Sequence, residues 1–306
     1  MSFPMASKDL LICTACGTQF DETDSSELTS CRVCDDPRQF VPPSGQSFTT
    51  LASLQSDYKN KHEPFPMDDR FTSIWTEPKF GIGQRCILIK TSAGNVLWDC
   101  ITFLDEETVR WIEDQGGLQA IVISHPHYYT THLEWAETFK CPVYLSAEDS
   151  KWLCREDKTS SRKLIEAGKT ELEIPDKEGN STGVKAIKLG GHFPGSLVTL
   201  YDGRLNVADT LVTTPAGLGD WKDKPRPEGM NSFAFFWSIP NMIPLPPDEI
   251  AGMWTVLRDY EFGSTHGAFL GTDIVAEDVK ERVFASMKIQ VQGEGCSEDF
   301  WEKTYV

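Results

Sequence analysis

Short apolar runs and longer amphipathic stretches alternate along the chain, and together they predict a mixed α/β fold. The apolar runs have the length of buried strands, whereas the amphipathic stretches have helical length and periodicity. The predicted strands are 86–89, 96–99, 120–124, 142–145, 170–174, 183–187, 197–200 and 205–208. The predicted helices are 106–115, 132–139, 247–260 and 273–286. Strands interleaved with helices favour a layered structure in which helices cover the sheets.

The first 45 residues are predicted to form a separate small unit. They contain two Cys-x2-Cys pairs, followed by a Pro-Pro-Ser-Gly linker at 42–45. Paired cysteines at this spacing are typical of a closed, tetrahedral structural zinc site, although iron would also fit four thiolates. The four ligands would be Cys13, Cys16, Cys31 and Cys34. The predicted division is a zinc knuckle at 1–45 and a larger domain at 46–306.

Composition and charge narrow the classes of function. The 306 residues are 40% hydrophobic and 25% charged, as in soluble enzymes. A net charge of −17 disfavours nucleic acid and anionic membranes as partners. No leader sequence or membrane-spanning run is visible, so we expect a cytoplasmic protein. The nine cysteines are an odd number, which argues against a disulfide framework, and Cys86 and Cys100 are expected to be buried thiols.

Potential metal ligands follow several of the predicted strands. His125 and His127 come directly after the run 120–124, and His192 lies in a Gly-Gly-His-Phe-Pro-Gly-Ser loop. Asp209 and His266 each follow a further short apolar run. Strand ends at one edge of packed sheets converge, and neutral imidazole is a favoured zinc ligand. The pattern predicts a metal site assembled from distant parts of the sequence.

These segments, in this order, resemble the metallo-β-lactamase superfamily over roughly residues 71–270. The resemblance implies an αββα sandwich, here preceded by a zinc-ribbon or rubredoxin-like knuckle. It also implies a zinc-dependent hydrolase whose first metal is held by His125, His127 and His192. Asp99 matches the early aspartate of the family and is expected to orient ligands instead of binding metal.

One departure affects the second metal site of the family. Where the family motif continues with Asp-His, this chain has Tyr129 and Thr130. Of the second-site ligands only Asp209 and His266 remain, and His132 lies two residues beyond the vacant histidine position. The resemblance therefore favours one catalytic zinc, with a second metal and ligation by His132 left open. His132 is otherwise expected to be a hydrogen-bonded histidine next to the site.

The expected reaction is hydrolysis of an acyl bond by a zinc-activated water. Asp209 is expected to orient the water or bind a second metal. Tyr129 or an unmetallated His266 is expected to stabilise the oxyanion or protonate the leaving group. A glyoxalase-II-like thioester hydrolase and a non-catalytic zinc-binding interaction protein are the alternatives.

The long segment 210–246 follows Asp209 and is rich in proline, glycine and aromatic residues. Such loops beside a site often form pocket walls, although about half of these aromatics are expected in the core. The candidate pocket residues are Trp221, Phe233, Phe235, Phe236 and Trp237. An aromatic wall favours small lactams, lactones or esters as substrates, and the resemblance extends to fungal lactam-degrading members.

The knuckle itself resembles those of some microbial hydrolases with this fold. The shared stretches are Cys-Gly-Thr-Gln at 16–19 and Arg-Gln-Phe-Val-Pro at 38–42. The sequence leaves open whether the knuckle docks on the hydrolase domain or mediates a homodimer. The expected partner is otherwise a small-molecule substrate.

Overall fold

A computed structural model describes residues 7–219, 221, 224–227 and 229–304 of the chain. The N-terminal part forms a two-stranded antiparallel sheet from β1 (Leu11–Cys13) and β2 (Phe48–Thr50), followed by the short helix α1 (Leu51–Leu54). β1 lies inside the predicted knuckle and β2 just after its predicted end. The domain boundary at residue 45 stays a prediction.

The first large sheet has seven strands that lie side by side in chain order. They are β3 (Lys59–Phe65), β4 (Asp68–Glu77), β5 (Cys86–Thr91), β6 (Gly94–Trp98), β7 (Ala120–Val122), β8 (Val143–Ser146) and β9 (Arg162–Ile165). Helices α2 (Glu106–Asp114) and α3 (His132–Phe139) connect β6 to β7 and β7 to β8. Because β6 to β9 run parallel, the carboxyl ends of these strands meet at one edge of the sheet.

The second large sheet has six strands. The elements that follow β9 are β10 (Glu171–Pro175), β11 (Ser181–Lys188), β12 (Leu197–Tyr201), β13 (Arg204–Asn206), β14 (Val212–Thr213), β15 (Phe233–Ala234), β16 (Phe236–Ser238), β17 (Ile243–Pro244), α4 (Pro247–Leu257), β18 (Ser264–His266), β19 (Asp273–Val275), α5 (Val279–Gly293) and α6 (Phe300–Thr304). The strand order is β10-β11-β12-β13-β18-β19, and β14–β15 and β16–β17 form two small separate ladders.

Two apolar clusters hold the layers together. The larger one combines residues of both sheets, such as Ile74 and Ile121 from the first and Val184 and Leu197 from the second. The other one joins the opposite face of the second sheet to α4 and α5. The layer order is therefore helix, sheet, sheet and helix, which confirms the expected αββα sandwich. Cys86 and Cys100 are fully buried, as expected.

In the first sheet, β3, β4 and β9 were missed from the sequence, and the start of one helix was misplaced. β3 and β9 carry mostly exposed or half-buried side chains, so they lack the apolar run that marks a buried strand. The helix predicted at 273–286 was wrong at its start. Residues 273–275 pair with β18 as β19, and α5 begins only at Val279. Among the described residues, no helix has both the length and the apolarity that crossing a bilayer requires.

Candidate metal centre

The loop after β7 carries His125 and His127. A short 3-10 helix, Pro126–Tyr128, turns the chain immediately after His125. The turn leaves the two imidazole rings 5.0 Å apart, centroid to centroid, and each histidine is only 1% exposed. The His-x-His pair therefore lies in one buried loop at the carboxyl edge of the first sheet.

Asp99, directly after β6, fixes the tautomer of His125 through Ser124. Its Oδ1 accepts hydrogen bonds from the backbone nitrogen and the Oγ of Ser124, at 2.8 and 2.7 Å. Since the one hydroxyl proton of Ser124 is used, its Oγ accepts from Nδ1–H of His125 at 2.9 Å. Nε2 of His125 then carries a free lone pair, and it finds no hydrogen-bond partner among the described residues. This geometry fits the orienting role predicted for Asp99.

His192 reaches the same point from the second sheet. The preceding glycine, Gly191, has a φ of +84°, and a Cβ there would lie 2.7 Å from Sδ of Met253. Only glycine meets both conditions without strain. Nδ1 of His192 lies 3.1 Å from the carbonyl oxygen of Phe236, so it donates its proton there. The remaining Nε2 points at Nδ1 of His127, 3.2 Å away.

Asp209, which follows β13, completes the cluster. Its Oδ2 lies 3.5 Å from Nε2 of His125, 3.7 Å from Nδ1 of His127 and 3.7 Å from Nε2 of His192. Its Oδ1 accepts a hydrogen bond from the Tyr128 hydroxyl at 2.7 Å. The Asp209 side chain is 11% exposed, against 0–1% for the three histidines. The cluster is therefore exposed to solvent mainly at the Asp209 carboxylate.

The four side chains fit a metal ion. Their ligand atoms all lie within 4.8 Å of one another. A tetrahedral zinc with bonds of about 2.0–2.1 Å would separate its ligand atoms by about 3.3 Å. A cation would satisfy three nitrogens in this cluster. They are Nε2 of His125, which has no hydrogen-bond partner among the described residues, and the facing nitrogens of His127 and His192.

Burial also sets the protonation states of the cluster. It lowers the pKa of His127 and, more strongly, that of His192, so both rings are neutral at neutral pH. Burial alone would raise the pKa of Asp209, but the neighbouring histidines, above all His125, hold it well below its usual value. Neutral imidazoles and an ionised carboxylate are the forms that bind metal. Burial raises the pKa of Asp99 to about 7.

The structure does not bring His132 or His266 into this cluster. Nδ1 of His132 lies 2.6 Å from the carbonyl oxygen of Tyr129, and Nε2 accepts from Nε of Arg162 at 2.8 Å. Both ring nitrogens of His266 are also engaged, with Asp273 at 3.1 Å and Ser264 at 2.9 Å. Neither ring has a nitrogen free for a metal.

Tyr128, and not Tyr129, contacts the cluster. On the tight turn after His125 neighbouring side chains point in directions about 120° apart. The hydroxyl of Tyr129 is therefore buried elsewhere, where it finds no hydrogen-bond partner among the described residues. No role could be predicted for Tyr128 from the sequence, because a tyrosine is not one of the residue types that mark a zinc site.

The aromatic residues of 210–246 divide between core and site. Phe233 and Phe235 are fully buried in the cluster under α5, so the structure does not place them in a pocket wall. Phe236 offers its backbone carbonyl to His192, and Trp237 is half-buried close by. Trp221 is half-buried, and its Nε1 finds no partner within the described part of the chain.

The four predicted knuckle cysteines form a second compact set. Sγ of Cys13 lies 3.6 Å from Sγ of Cys34, and the same distance separates Cys16 from Cys31. All four sulfurs lie within 4.8 Å of one another, close to the edge of about 3.8 Å expected for zinc–sulfur bonds of about 2.3 Å. Nε2 of Gln46 donates to Cys13 Sγ at 2.9 Å. Among the described residues, these two clusters are the sets of side chains that could hold a metal.

Comparison with known proteins settles the family. The sequence model described as metallo-beta-lactamase superfamily matches residues 81–265, which include all four members of the histidine cluster. The chain belongs to this superfamily. The uncharacterized protein YmaE of Bacillus subtilis (strain 168) is 34% identical over 276 residues, covering 89% of this chain and 92% of YmaE.

The solved structures that match are more distant. The apo chemotaxis sensor ODP from T. denticola has 17% identity and a TM-score of 0.49, covering 81% of this chain and 100% of its own. The metallo-beta-lactamase FIM-1 from Pseudomonas aeruginosa, in its mono-zinc form, has 9% identity and a TM-score of 0.49, covering 78% and 97%.

Replacing Tyr128 with phenylalanine should lower the free energy of unfolding by about 1–3 kcal/mol, because Asp209 Oδ1 loses its buried donor. Chemical denaturation of the zinc-loaded protein measures this. Tyr129→Phe is the matched control, since it removes a neighbouring buried hydroxyl that has no partner among the described residues. An equal loss in both variants would contradict a specific role for the Tyr128 hydrogen bond.

Proposed function

We propose that the histidine cluster is the active site of a zinc-dependent hydrolase that acts on a small acyl compound, namely a lactam, lactone or ester. The observation that carries this proposal is the convergence of three imidazole nitrogens and Asp209 Oδ2 in one buried cluster. His125, His127 and His192 would hold the ion. A bound zinc lowers the pKa of a water ligand to about 7 and polarises a carbonyl oxygen.

Asp209 has the position of a group that orients the attacking water. Its side chain is the one member of the cluster that solvent reaches appreciably. The Tyr128 hydroxyl holds Oδ1, so the plane of the carboxylate is fixed while Oδ2 faces the histidines. Asp209 could also serve as a fourth ligand, and the centre would then need a fifth position for water. Tyr129 and His266 have no part in this proposal, because their polar atoms do not face the cluster.

Asp209→Asn should lower kcat by at least about a hundredfold, since a positioned acid–base group contributes roughly 10²–10⁴. Zinc-loaded protein is assayed against a β-lactam, a γ-lactam, a lactone and an aryl ester. Asp202→Asn, which changes an exposed carboxylate at a turn, is the matched control. Equal activity of Asp209→Asn and wild type would remove Asp209 from the mechanism.

The two alternative functions give different results in the same assay. A thioester in the panel tests glyoxalase-II-like hydrolysis, which turnover of the thioester alone would support. Tight zinc binding with no turnover of any compound would support a non-catalytic interaction protein. Nucleic acid is not among the proposed partners, because the net charge of −17 would repel its phosphates.

A further inference from the structure

The four residues Asp36 to Gln39, here called the strap, leave the cysteine knuckle and cross onto the histidine cluster. The strap begins two residues after Cys34. Nε of Arg38 donates to the backbone carbonyl of His192 at 2.8 Å. Nη1 of the same guanidinium binds both carboxylate oxygens of Asp36, at 3.0 and 3.2 Å. One arginine thus joins the knuckle directly to a residue of the candidate metal centre.

Aromatic rings enclose the Arg38 guanidinium. Its central carbon lies 4.6 Å from the ring centroid of Trp237, 4.7 Å from that of Phe193 and 5.5 Å from that of Trp152. Its side chain is only 14% exposed. Trp152 also donates from Nε1 to Asp36 at 3.2 Å. The faces of aromatic rings attract a cation, so this enclosure holds the guanidinium in one orientation.

A second loop, which contains Asn241, also holds the strap in place. Nδ2 of Asn241 donates to the carbonyl oxygens of Pro37 and Gln39, at 2.9 and 3.2 Å. Asn241 belongs to the hairpin β16–β17, whose first residue, Phe236, accepts the Nδ1 proton of His192. The strap therefore touches both the backbone of His192 and the hairpin that orients its ring.

The knuckle is docked firmly enough to transmit this contact. The backbone nitrogen of Gln19 donates to the carbonyl of Thr130, in the loop after His127, at 3.2 Å. Arg155 bridges Gln19 and Glu134 at 2.6 and 2.9 Å. The knuckle thus contacts the large domain at Gln19, between its two cysteine pairs, and again at the strap after Cys34, so its fold determines where the strap lies.

We propose that Arg38 is a positioning residue for His192, and that the cysteine knuckle thereby controls how tightly the histidine cluster holds its metal. The metal of the knuckle orders the cysteines, the strap follows from them, and Arg38 fixes the His192 loop. This inference concerns metal retention and goes beyond the proposed hydrolysis.

Arg38→Ala should weaken the affinity of the histidine cluster for zinc by about tenfold, because groups that orient metal ligands contribute roughly 10–100-fold. Zinc release to a competing chelator is followed in wild type and variant. Arg32→Ala is the matched control, because Arg32 lies within the knuckle and makes one long contact, 3.5 Å, to the carbonyl of Leu153. Arg38→Lys should restore part of the affinity, since lysine keeps the charge but cannot donate to Asp36 and His192 in a fixed fork.

Cobalt substitution adds a spectroscopic test of position. The d–d absorption of cobalt in the histidine cluster should change in Arg38→Ala, whereas the thiolate-to-cobalt charge-transfer band of the knuckle should not. Identical release rates and spectra in wild type, Arg32→Ala and Arg38→Ala would overturn the proposal. Loss of the knuckle band in Arg38→Ala would overturn it too, because the change would then reflect a disrupted knuckle.

A knuckle variant tests the longer link. Cys34→Ser should accelerate zinc loss from the histidine cluster while circular dichroism shows that the large domain stays folded. If the variant folds and its histidine cluster retains zinc as well as wild type does, the knuckle does not control metal retention at that cluster. If Cys34→Ser does not fold, the proposal is tested by the Arg38 variants and their Arg32→Ala control. Because every readout is metal binding, failure of this inference is distinct from failure to find a hydrolysed substrate.

Discussion

The double substitution His125→Ala/His127→Ala should reduce the zinc content from two ions per chain to one and abolish hydrolysis. These histidines supply two of the three imidazole nitrogens of the cluster, and His192 with Asp209 alone cannot complete a tetrahedral site. Activity should fall by at least about a thousandfold, since a catalytic metal contributes several kcal/mol to the transition state. Elemental analysis of purified protein gives the metal count.

The remaining zinc is an internal control for this variant. Retention of the knuckle ion shows that the loss at the histidines is local. His62→Ala is a matched surface control, because His62 is exposed and stacks on Trp111, 4.0 Å between ring centroids. An unchanged count in the double variant would exclude a metal at the histidine cluster. Three zinc ions in the wild type would indicate a further site beyond the two clusters found among the described residues.

Most of the buried strands and the ligands that follow them could be predicted because each leaves a local mark, whereas β4, which is buried only over its middle, was missed. Residues 120–123, shortly before His125, are continuously apolar, and β7 is buried at all three positions. His192 stands in a loop whose glycine is required by backbone conformation. The edge strand β3 has no such mark. Its side chains are mostly exposed, and it is held in the sheet by its backbone pairing with β4.

The contacts that orient the ligands were not visible in the sequence. Tyr128 reaches Asp209 across 81 positions of the chain, and Arg38 reaches His192 across 154. Arg38 stands in the shared stretch 38–42 and Tyr128 follows His127, but neither pattern indicates a partner, because hydrogen bonds between remote segments depend on how the sheets and the knuckle dock. His266 is the reverse case. It stands where the family has a metal ligand, but its Nδ1 is hydrogen-bonded to Asp273 instead.

Acidification from pH 7 to pH 5 should cost about 2 kcal/mol of stability through His132 alone. Burial, together with the nearby Arg162, lowers the pKa of His132 to about 3. The unfolded chain has an ordinary histidine with a pKa of about 6.5, so it binds a proton that the folded protein excludes. A histidine with a depressed folded pKa stabilises the fold fully above about pH 6.5 and loses this contribution as the pH falls toward 3. Over the whole window the difference amounts to about 5 kcal/mol.

The measurement is a comparison of unfolding free energies in urea at pH 7 and pH 5 for wild type and His132→Gln. Glutamine can accept from Arg162 but does not titrate, so the loss between the two pH values should be about 2 kcal/mol smaller in the variant. His62→Gln removes a more exposed histidine whose pKa is also lowered by burial, and it should change the pH dependence less than His132→Gln does. Equal pH dependence in wild type and His132→Gln would mean that His132 can take up a proton in the folded protein. The hydrogen bond from Arg162 to Nε2 would then have to break, because that nitrogen cannot be protonated and accept at the same time.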